Sequence, residues 1–358
     1  MKKYRVGIIG ATGMVGQRLL LLLQNHPFFE ITALLASPNS AGQKYGNCLQ
    51  SRWMMQDKIP EQFVNMTILN AHDIILVREK VDIVFCAVNM PKDEILVLEE
   101  NYAKAEIPVI SNNAANRCNP FIPMIIPEIN AEHLKIIDMQ RKKLGTKKGF
   151  IAVKSNCSIQ SYLPALHPLR EFGLEKIAIC TYQAISGAGK TFESMPNIID
   201  NIIPYINGEE EKSELEPLKI WGKVTEYGIQ NATSPIISAQ CLRVPVSDGH
   251  TAAIFVQFKN KPTKEEIITA WQSYTSSITN LNLPLAPKQL LHYLHEEDRP
   301  QAKLDRDCEK GMAITLGRLR EDNIFDYKFI CLSHNTIRGA AGGAVLMAEL
   351  LAQQGYFE

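Results

Sequence analysis

Through the first third of the chain, short apolar runs alternate with stretches whose apolar residues recur every three or four positions. That is the rhythm of parallel strands joined by helices that cover the sheet. The pattern predicts strands at residues 5–9, 31–35, 83–88 and 109–111, and helices at 14–24, 93–105 and 131–143. The basic, glycine-containing stretch KKLGTKKG (142–149) reads as a linker, which places a domain boundary nearby. A strand at 151–154 leads into a helix at 159–170. Longer β-prone runs follow at 177–185, 236–246, 252–258 and 328–332, the texture of an α+β domain with a mixed or antiparallel sheet. The segment GAAGGAVLMAELLAQQG (339–355) reads as a closing helix opened by small residues. His292 and His295 fit a solvated helix face.

The chain has 358 residues, more than the ~250–300 at which single cores stop growing, so two domains with a cleft between them are expected. Its 38 basic and 38 acidic side chains cancel, and no run of like charges supplies a local field, so neither nucleic acid nor an anionic membrane is expected as a partner. The eight cysteines show no C-x-x-C spacing, which speaks against a zinc site or a disulfide framework and for a reducing compartment. The start, MKKYRVGIIG, runs into a strand without a secretory signal pattern, and no stretch is apolar enough to span a bilayer. A cytoplasmic protein is expected.

Two segments change the picture from fold to chemistry. Gly10-Ala11-Thr12-Gly13-Met14-Val15-Gly16 lies between the first strand and the first helix, where a dinucleotide fingerprint belongs. Glycines there let backbone approach a pyrophosphate, and the free N–H groups of the helix terminus hold its charge. On spacing alone the triplet is also compatible with a tight strand-to-helix turn; its position at the head of a βαβ run favours the cofactor reading. The turn after the second strand carries Ser37, Asn39, Ser40 and Lys44 but no carboxylate, which suits the 2′-phosphate of NADP better than the ribose diol of NAD. In the second segment, Ser155-Asn156-Cys157-Ser158 joins a strand to a helix. A cysteine at a helix N-terminus is expected to have a lowered pKa and a nucleophilic thiolate, while the other seven cysteines fit ordinary core positions. The matching acid/base is His250 in Arg243-Val-Pro-Val-Ser-Asp-Gly-His250, expected at an exposed strand edge with a pKa near neutral.

With GATGMVG, SNCS, TYQAISGAG (181–189) and RVPVSDGH (243–250) in view, together with DRPQAKLDRD (298–307) and GRLR (317–320), the chain resembles the aspartate-β-semialdehyde dehydrogenase family, in the branch found in archaea and fungi. The resemblance runs from the first strand to the last helix. It implies an NADP-binding Rossmann domain at 1–150 and 336–358, with the C-terminal helix returning to it, and a catalytic and dimerisation α+β domain at 151–335. It implies NADPH-dependent conversion of L-aspartyl 4-phosphate to the semialdehyde, with Cys157 as nucleophile, His250 as acid/base, Gln183 orienting the acyl group and Asn156 beside the nucleophile. By the same resemblance Arg243 holds the substrate carboxylate and Glu209 its amino group, although GEEEK (208–212) leaves the choice among Glu209, Glu210 and Glu211 open. Arg117 in SNNAANR (111–117) and Lys212 match the pair that binds phosphate, an expected small-molecule partner. Ser186-Gly187-Ala188-Gly189 and Asn335 match cofactor contacts. Relatives often carry arginine where Asn39 stands. A homodimer or homotetramer and no metal are expected. An N-acetyl-γ-glutamyl-phosphate reductase, a malonyl-CoA reductase and a non-catalytic nucleotide sensor are the alternative readings; the pairing of Arg243 with GEEEK opposes the first, activity against the two acyl donors separates the second, and retention of both Cys157 and His250 opposes the third.

Overall fold

The computed structural model describes residues 3–358. Its first sheet has seven strands: β1 (Tyr4–Ile9), β2 (Phe29–Ala36), β3 (Leu69–Asn70), β4 (Ile83–Cys86), β5 (Val109–Ser111), β6 (Met124–Ile125) and β7 (Ile151–Lys154). They lie in the order β3-β2-β1-β4-β5-β7-β6 and every pairing is parallel. β1, β4, β5 and β7 are almost wholly buried, as expected for strands covered on both faces. The helices Met14–Leu23 and Lys92–Lys104 match the predicted periodicity closely. The helix predicted at 131–143 is divided into a 3-10 stretch, Ala131–Ile136, and an α-helix, Ile137–Leu144.

β7 does not open the second domain as the sequence suggested. Val109, Ile110 and Ser111 pair with Ile151, Ala152 and Val153, so β7 belongs to the first sheet. The KKLGTKKG stretch is likewise no linker between domains. Gly145 ends its helix in the left-handed conformation, and the Glu106 carboxylate accepts backbone N–H groups from Lys147, Lys148 and Gly149, which ties the return of the chain to the first domain.

After the helix Ile159–Leu166, which gives way to 3-10 turns at Pro168 and not to the single helix predicted through 170, the chain forms β8 (Leu174–Gln183). A small hairpin, β9 (Lys223–Thr225) and β10 (Gly228–Gln230), stands apart. The second sheet adds β11 (Ile236–Arg243), β12 (His250–Phe258), β13 (Leu291–Leu294), β14 (Ile314–Glu321) and β15 (Tyr327–Ser333) in the mixed order β11-β8-β12-β15-β14-β13. His292 therefore sits on a strand paired with β14 and not on a helix. The helix Gly342–Gln353 packs back among Val6, Ile8, Leu19 and Leu20 of the first domain. Just before it, a π-helical turn at Ile337–Ala341 carries Arg338, whose buried guanidinium donates to both Glu128 oxygens at 2.5 and 2.8 Å and to Gln160 at 3.0 Å. This fork fixes the returning segment against both domains.

Parallel sheets place ligands beyond the carboxyl ends of their strands. Here β1 ends at the glycine loop, β2 at the Ser37 turn, β5 at the SNNAANR loop and β7 at Ser155-Asn156-Cys157. One sheet edge thus presents both the cofactor loop and the thiol.

Candidate active site

Gly10 has φ +84°, a left-handed conformation, and a Cβ there would meet the Ala87 carbonyl oxygen at 2.3 Å. A Cβ on Gly16 would meet the Gly10 oxygen at 2.2 Å, so the helix can start this close to the strand only with glycine. The helix begins at Met14 behind Gly13, and no side chain caps its first-turn amides. Ala11 is fixed by the Tyr45 hydroxyl on its carbonyl at 2.8 Å, and Gln17 reaches back to the Thr12 carbonyl at 3.0 Å. Met14, with Arg18, faces Ile185, Ser186, Ser247 and Asp248 across a cleft of about 120 Å³ between the domains. Val15 lies within the same helix start. Uncapped amides, a glycine loop without side chains and a cleft beside it fit a dinucleotide. In the turn after β2, Ser37 and Asn39 are exposed and Ser40 is buried, its N–H donating to the Ser37 carbonyl at 3.0 Å. Lys44 donates to the Thr67 hydroxyl.

Across the cleft, Cys157 Sγ lies 3.4 Å from His250 Nε2. Cys157 follows β7, and His250 opens β12. The loop Ser186-Gly187-Ala188-Gly189 follows β8 and covers the pair: a Cβ on Gly187 would come within 3.0 Å of both His250 Nε2 and an Arg243 guanidinium nitrogen. Ala188 and Gly189 continue the loop to a left-handed turn at Gly189. Asn335 supports it from beneath, donating to the Ser186 hydroxyl at 2.9 Å and accepting the Gly249 N–H at 2.8 Å. Arg243, at the end of β11, is buried and donates to the Ala184 carbonyl at 2.7 Å.

The ionisation expected from sequence is reversed in two places. His250 is buried, not exposed, and burial together with the Arg243 charge pushes its pKa down to about 3. The Ala184 N–H donates to Nδ1 at 3.0 Å, so Nδ1 is the acceptor nitrogen and the neutral ring carries its proton on Nε2, facing sulfur. Cys157 is not acidified by its place before a helix: burial and the Glu209 carboxylate push the thiol up, opposed by Lys154, Arg117 and Arg243. Ser158 is the N-cap of an eight-residue helix, and desolvation outweighs what that terminus supplies.

Glu209 is the member of GEEEK that enters the site. It accepts both Asn156 amide contacts at 2.9 Å, one from Gln183 at 3.1 Å and the Lys212 ammonium at 2.9 Å. Burial raises its pKa, but Lys212 and the two amides outweigh burial and hold the carboxyl below its usual range. Glu210 instead bonds Gln240 and the Cys241 N–H on β11, and Glu211 is exposed.

Three buried charged side chains around the site carry no sequence signal of their own. Glu216, two turns after Glu209, accepts from Arg117 at 3.0 Å and from the Asn156 N–H at 2.6 Å. Lys219, one turn further, donates to the carbonyls of Arg117, Asn119 and Ile122 and so pins the SNNAANR loop. Glu209, Glu216 and Lys219 stand seven and three residues apart, which puts them on one helix face, and that is the regularity that could have revealed the last two. The third is Lys154, buried at the end of β7. Arg117 is buried, and its Nε has no partner. Arg117 pairs with Glu216 at 3.0 Å and Lys212 with Glu209 at 2.9 Å, so the two cations are held by carboxylates of one helix. Among the described residues no cluster of side chains is arranged to hold a metal ion, and no helix is long and apolar enough to cross a membrane.

Residues 5–137 match the family described as semialdehyde dehydrogenase, NAD binding domain, and residues 166–338 match semialdehyde dehydrogenase, dimerisation domain. The chain is 40% identical to an aspartate-semialdehyde dehydrogenase of Archaeoglobus fulgidus over 98% of this chain and 99% of that one. It is 41% identical to the Saccharomyces cerevisiae enzyme of the same name over 96% of each. The crystal structure of the Candida albicans enzyme with NADP covers 99% of this chain with all of its own, at a TM-score of 0.87 and 37% identity. With its parallel first sheet, its mixed second sheet and a cysteine–histidine pair that joins the end of one to the start of a strand of the other, the chain belongs to the aspartate-semialdehyde dehydrogenase family.

Proposed function

We propose that this protein catalyses the reversible, NADPH-dependent conversion of L-aspartyl 4-phosphate to L-aspartate 4-semialdehyde and inorganic phosphate, a step that supplies lysine, threonine and methionine synthesis, through an acyl group carried on Cys157. The observation that carries this reading is the 3.4 Å approach of Cys157 Sγ to His250 Nε2, with Glu209, Arg117 and Arg243 around the sulfur. The Cys157 thiol attacks the acyl carbon and expels phosphate, the thiol proton leaving with it as hydrogen phosphate, which splits one difficult displacement into two easier ones. His250 is the proposed acid/base: its Nε2 faces the sulfur as it ionises and then meets the oxyanion of the tetrahedral adduct with a proton. NADPH supplies the hydride when it is bound. Collapse of the reduced adduct returns the sulfur as leaving group.

Arg243 is suited to the substrate carboxylate, because a planar fork matches a bidentate anion, and Glu209 to the ammonium group. Gln183 and Asn156, both tied to Glu209, set the acyl group against sulfur. Arg117 and Lys212 are assigned to phosphate. Gly10 to Gly16, Ser37, Asn39, Ser40, the 186–189 loop and Asn335 are assigned to the dinucleotide.

The dimerisation-type domain leaves one face of its sheet partly uncovered, with Ala178, Tyr182, Ala253, Phe255 and Ile330 on it. That apolar face is the proposed contact of a homodimer; a homotetramer would need a second surface. A reducing cytoplasm fits the eight free cysteines. The test is phosphate-dependent reduction of NADP by aspartate semialdehyde, run beside N-acetylglutamate semialdehyde and beside NAD. Turnover with aspartate semialdehyde that stops when phosphate is withheld supports the reading; preference for the acetylated analogue overturns it.

A further inference from the structure

The helix Lys92–Lys104 turns Ile95, Leu98, Glu99, Tyr102 and Ala103 inward, at the three- and four-residue spacing of a core-facing stripe. Glu99 is a carboxyl group in a position where that stripe calls for an apolar residue, and it is 1% exposed. Burying such a group is costly unless hydrogen bonds replace its hydration. Here one loop supplies them. Oε1 accepts from the Ser111 hydroxyl at 2.5 Å and from the Asn113 amide at 2.8 Å, and Oε2 accepts from the Asn116 amide at 2.7 Å. All three donors are buried, and all three belong to SNNAANR, the segment that leaves β5 and ends in Arg117. An amide accepts at one atom only, whereas a carboxylate accepts at both oxygens, so this set of donors specifies a carboxylate.

From this arrangement we infer that Glu99 is a positioning residue for the reaction, a buried template that shapes the 111–117 loop so that Arg117 meets the substrate phosphate. The inference rests on the assignment of Arg117 to phosphate. The Arg117 guanidinium has two anchors: one nitrogen donates to Glu216 at 3.0 Å and another to the Asn112 carbonyl at 3.1 Å. Asn112 stands between Ser111 and Asn113, both bonded to Glu99 Oε1, and the Asn113 N–H also donates to the Ser111 hydroxyl at 3.0 Å. The direction of that carbonyl, and with it of the guanidinium, is thus set by Glu99. At the far end of the loop the Lys219 ammonium takes the carbonyls of Arg117, Asn119 and Ile122. A buried carboxylate therefore gathers the loop's side-chain donors while a buried ammonium gathers its carbonyls, and Arg117 lies between the two. An apolar side chain at position 99 would complete the helix stripe but leave three loop donors buried without an acceptor, so it is the loop that requires the carboxylate.

The test is the steady-state kinetics of phosphate-dependent NADP reduction by aspartate semialdehyde in the full-length enzyme, for wild type, Glu99→Gln, Glu99→Leu, Arg117→Ala and the double variant Glu99→Gln/Arg117→Ala. Glu99→Gln should raise the KM for phosphate about tenfold, the loss of one hydrogen bond to a charged group, and Glu99→Leu by more. The rate of the NADPH burst seen without phosphate and the affinity for NADP should stay at their wild-type values in both. In the Arg117→Ala background Glu99→Gln should change the KM for phosphate by less than about twofold, because its effect passes through Arg117. A fall in kcat and melting temperature with the KM for phosphate unmoved would make Glu99 a structural residue and overturn the inference, as would a tenfold effect that persists without Arg117. Should Glu99→Leu fail to fold, Glu99→Gln, which keeps the volume, decides alone by the same readings. An unchanged KM in the Glu99 variants beside a raised one in Arg117→Ala overturns this inference and leaves the phosphate assignment standing; an unchanged KM in Arg117→Ala overturns both.

Discussion

The two sides of the cleft are built from different materials. On the cofactor side the working atoms are backbone: an uncapped helix start, a left-handed Gly10 and a Gly16 whose missing Cβ lets the helix meet the strand. The Ser37 turn beside it is exposed and bonded mostly to itself. On the thiol side the working atoms are side chains from β7, β8, β11, β12, the SNNAANR loop and the Glu209 helix, nearly all buried and hydrogen-bonded to one another. A backbone site tolerates changes of side chain but no added Cβ. A buried side-chain site is altered by any change of charge, because each group is the partner of another.

The largest expected effect breaks the thiol side alone. Cys157→Ala should lower kcat by about four orders of magnitude or more, since the covalent route is lost, while NADP titration by fluorescence stays at its wild-type affinity. The converse experiment is Gly16→Ala, where the clash with the Gly10 oxygen should weaken NADP binding about a hundredfold and leave Cys157 alkylation unchanged. Arg243→Lys should reduce kcat/KM about a hundredfold, because one ammonium cannot reproduce a fork; Arg117→Ala should mainly raise the KM for phosphate. Equal effects of both variants on one constant would show that the two anion sites are not separate.

Stability should follow the buried histidines. Burial lowers the pKa of His250 to about 3, of His167 to about 4 and of His334 to about 4. The unfolded chain binds protons at these positions near 6.5, before the folded one does. Their contribution is thus complete above about pH 6.5 and is lost as pH falls toward 4 and 3, so the melting temperature should drop by several degrees between pH 7 and pH 4.5. His250→Asn should flatten that slope. The smallest effect is on the cofactor turn. Asn39 brings no charge, and a charge-assisted bond is roughly twice as strong as a neutral one, so Asn39→Arg should widen the kcat/KM preference for NADP over NAD several-fold. Ser37→Asp should reverse it.

The same contrast explains what the sequence made legible. Periodicity located the parallel strands and the covering helices because each depends on its own residues, and GATGMVG could be read because a backbone site is encoded contiguously. Domain membership of β7 was not legible: Ile151–Lys154 reads equally as the last strand of one sheet or the first of the next, and its pairing with Val109–Ser111 is long-range. Cys157 and His250 were found as residues, yet their ionisation was misread, because desolvation of the thiol, burial of the imidazole and the Ala184 N–H on Nδ1 are products of tertiary packing. Glu216 and Lys219 were absorbed into a charged helix, and Lys154 into a strand end. What distinguishes them is the side each turns inward, and charge patterning on an exposed-looking helix does not declare that.

The proposed reaction turns on an acyl group held by Cys157, and the most direct measurement is a single-turnover experiment without phosphate. Enzyme mixed with NADP and aspartate semialdehyde should give a burst of NADPH equal to the concentration of active sites. Peptide mass spectrometry should find an aspartyl adduct on Cys157, and added phosphate should discharge it with steady turnover. Steady turnover without phosphate and without an adduct, or an adduct on any other residue, would contradict the account.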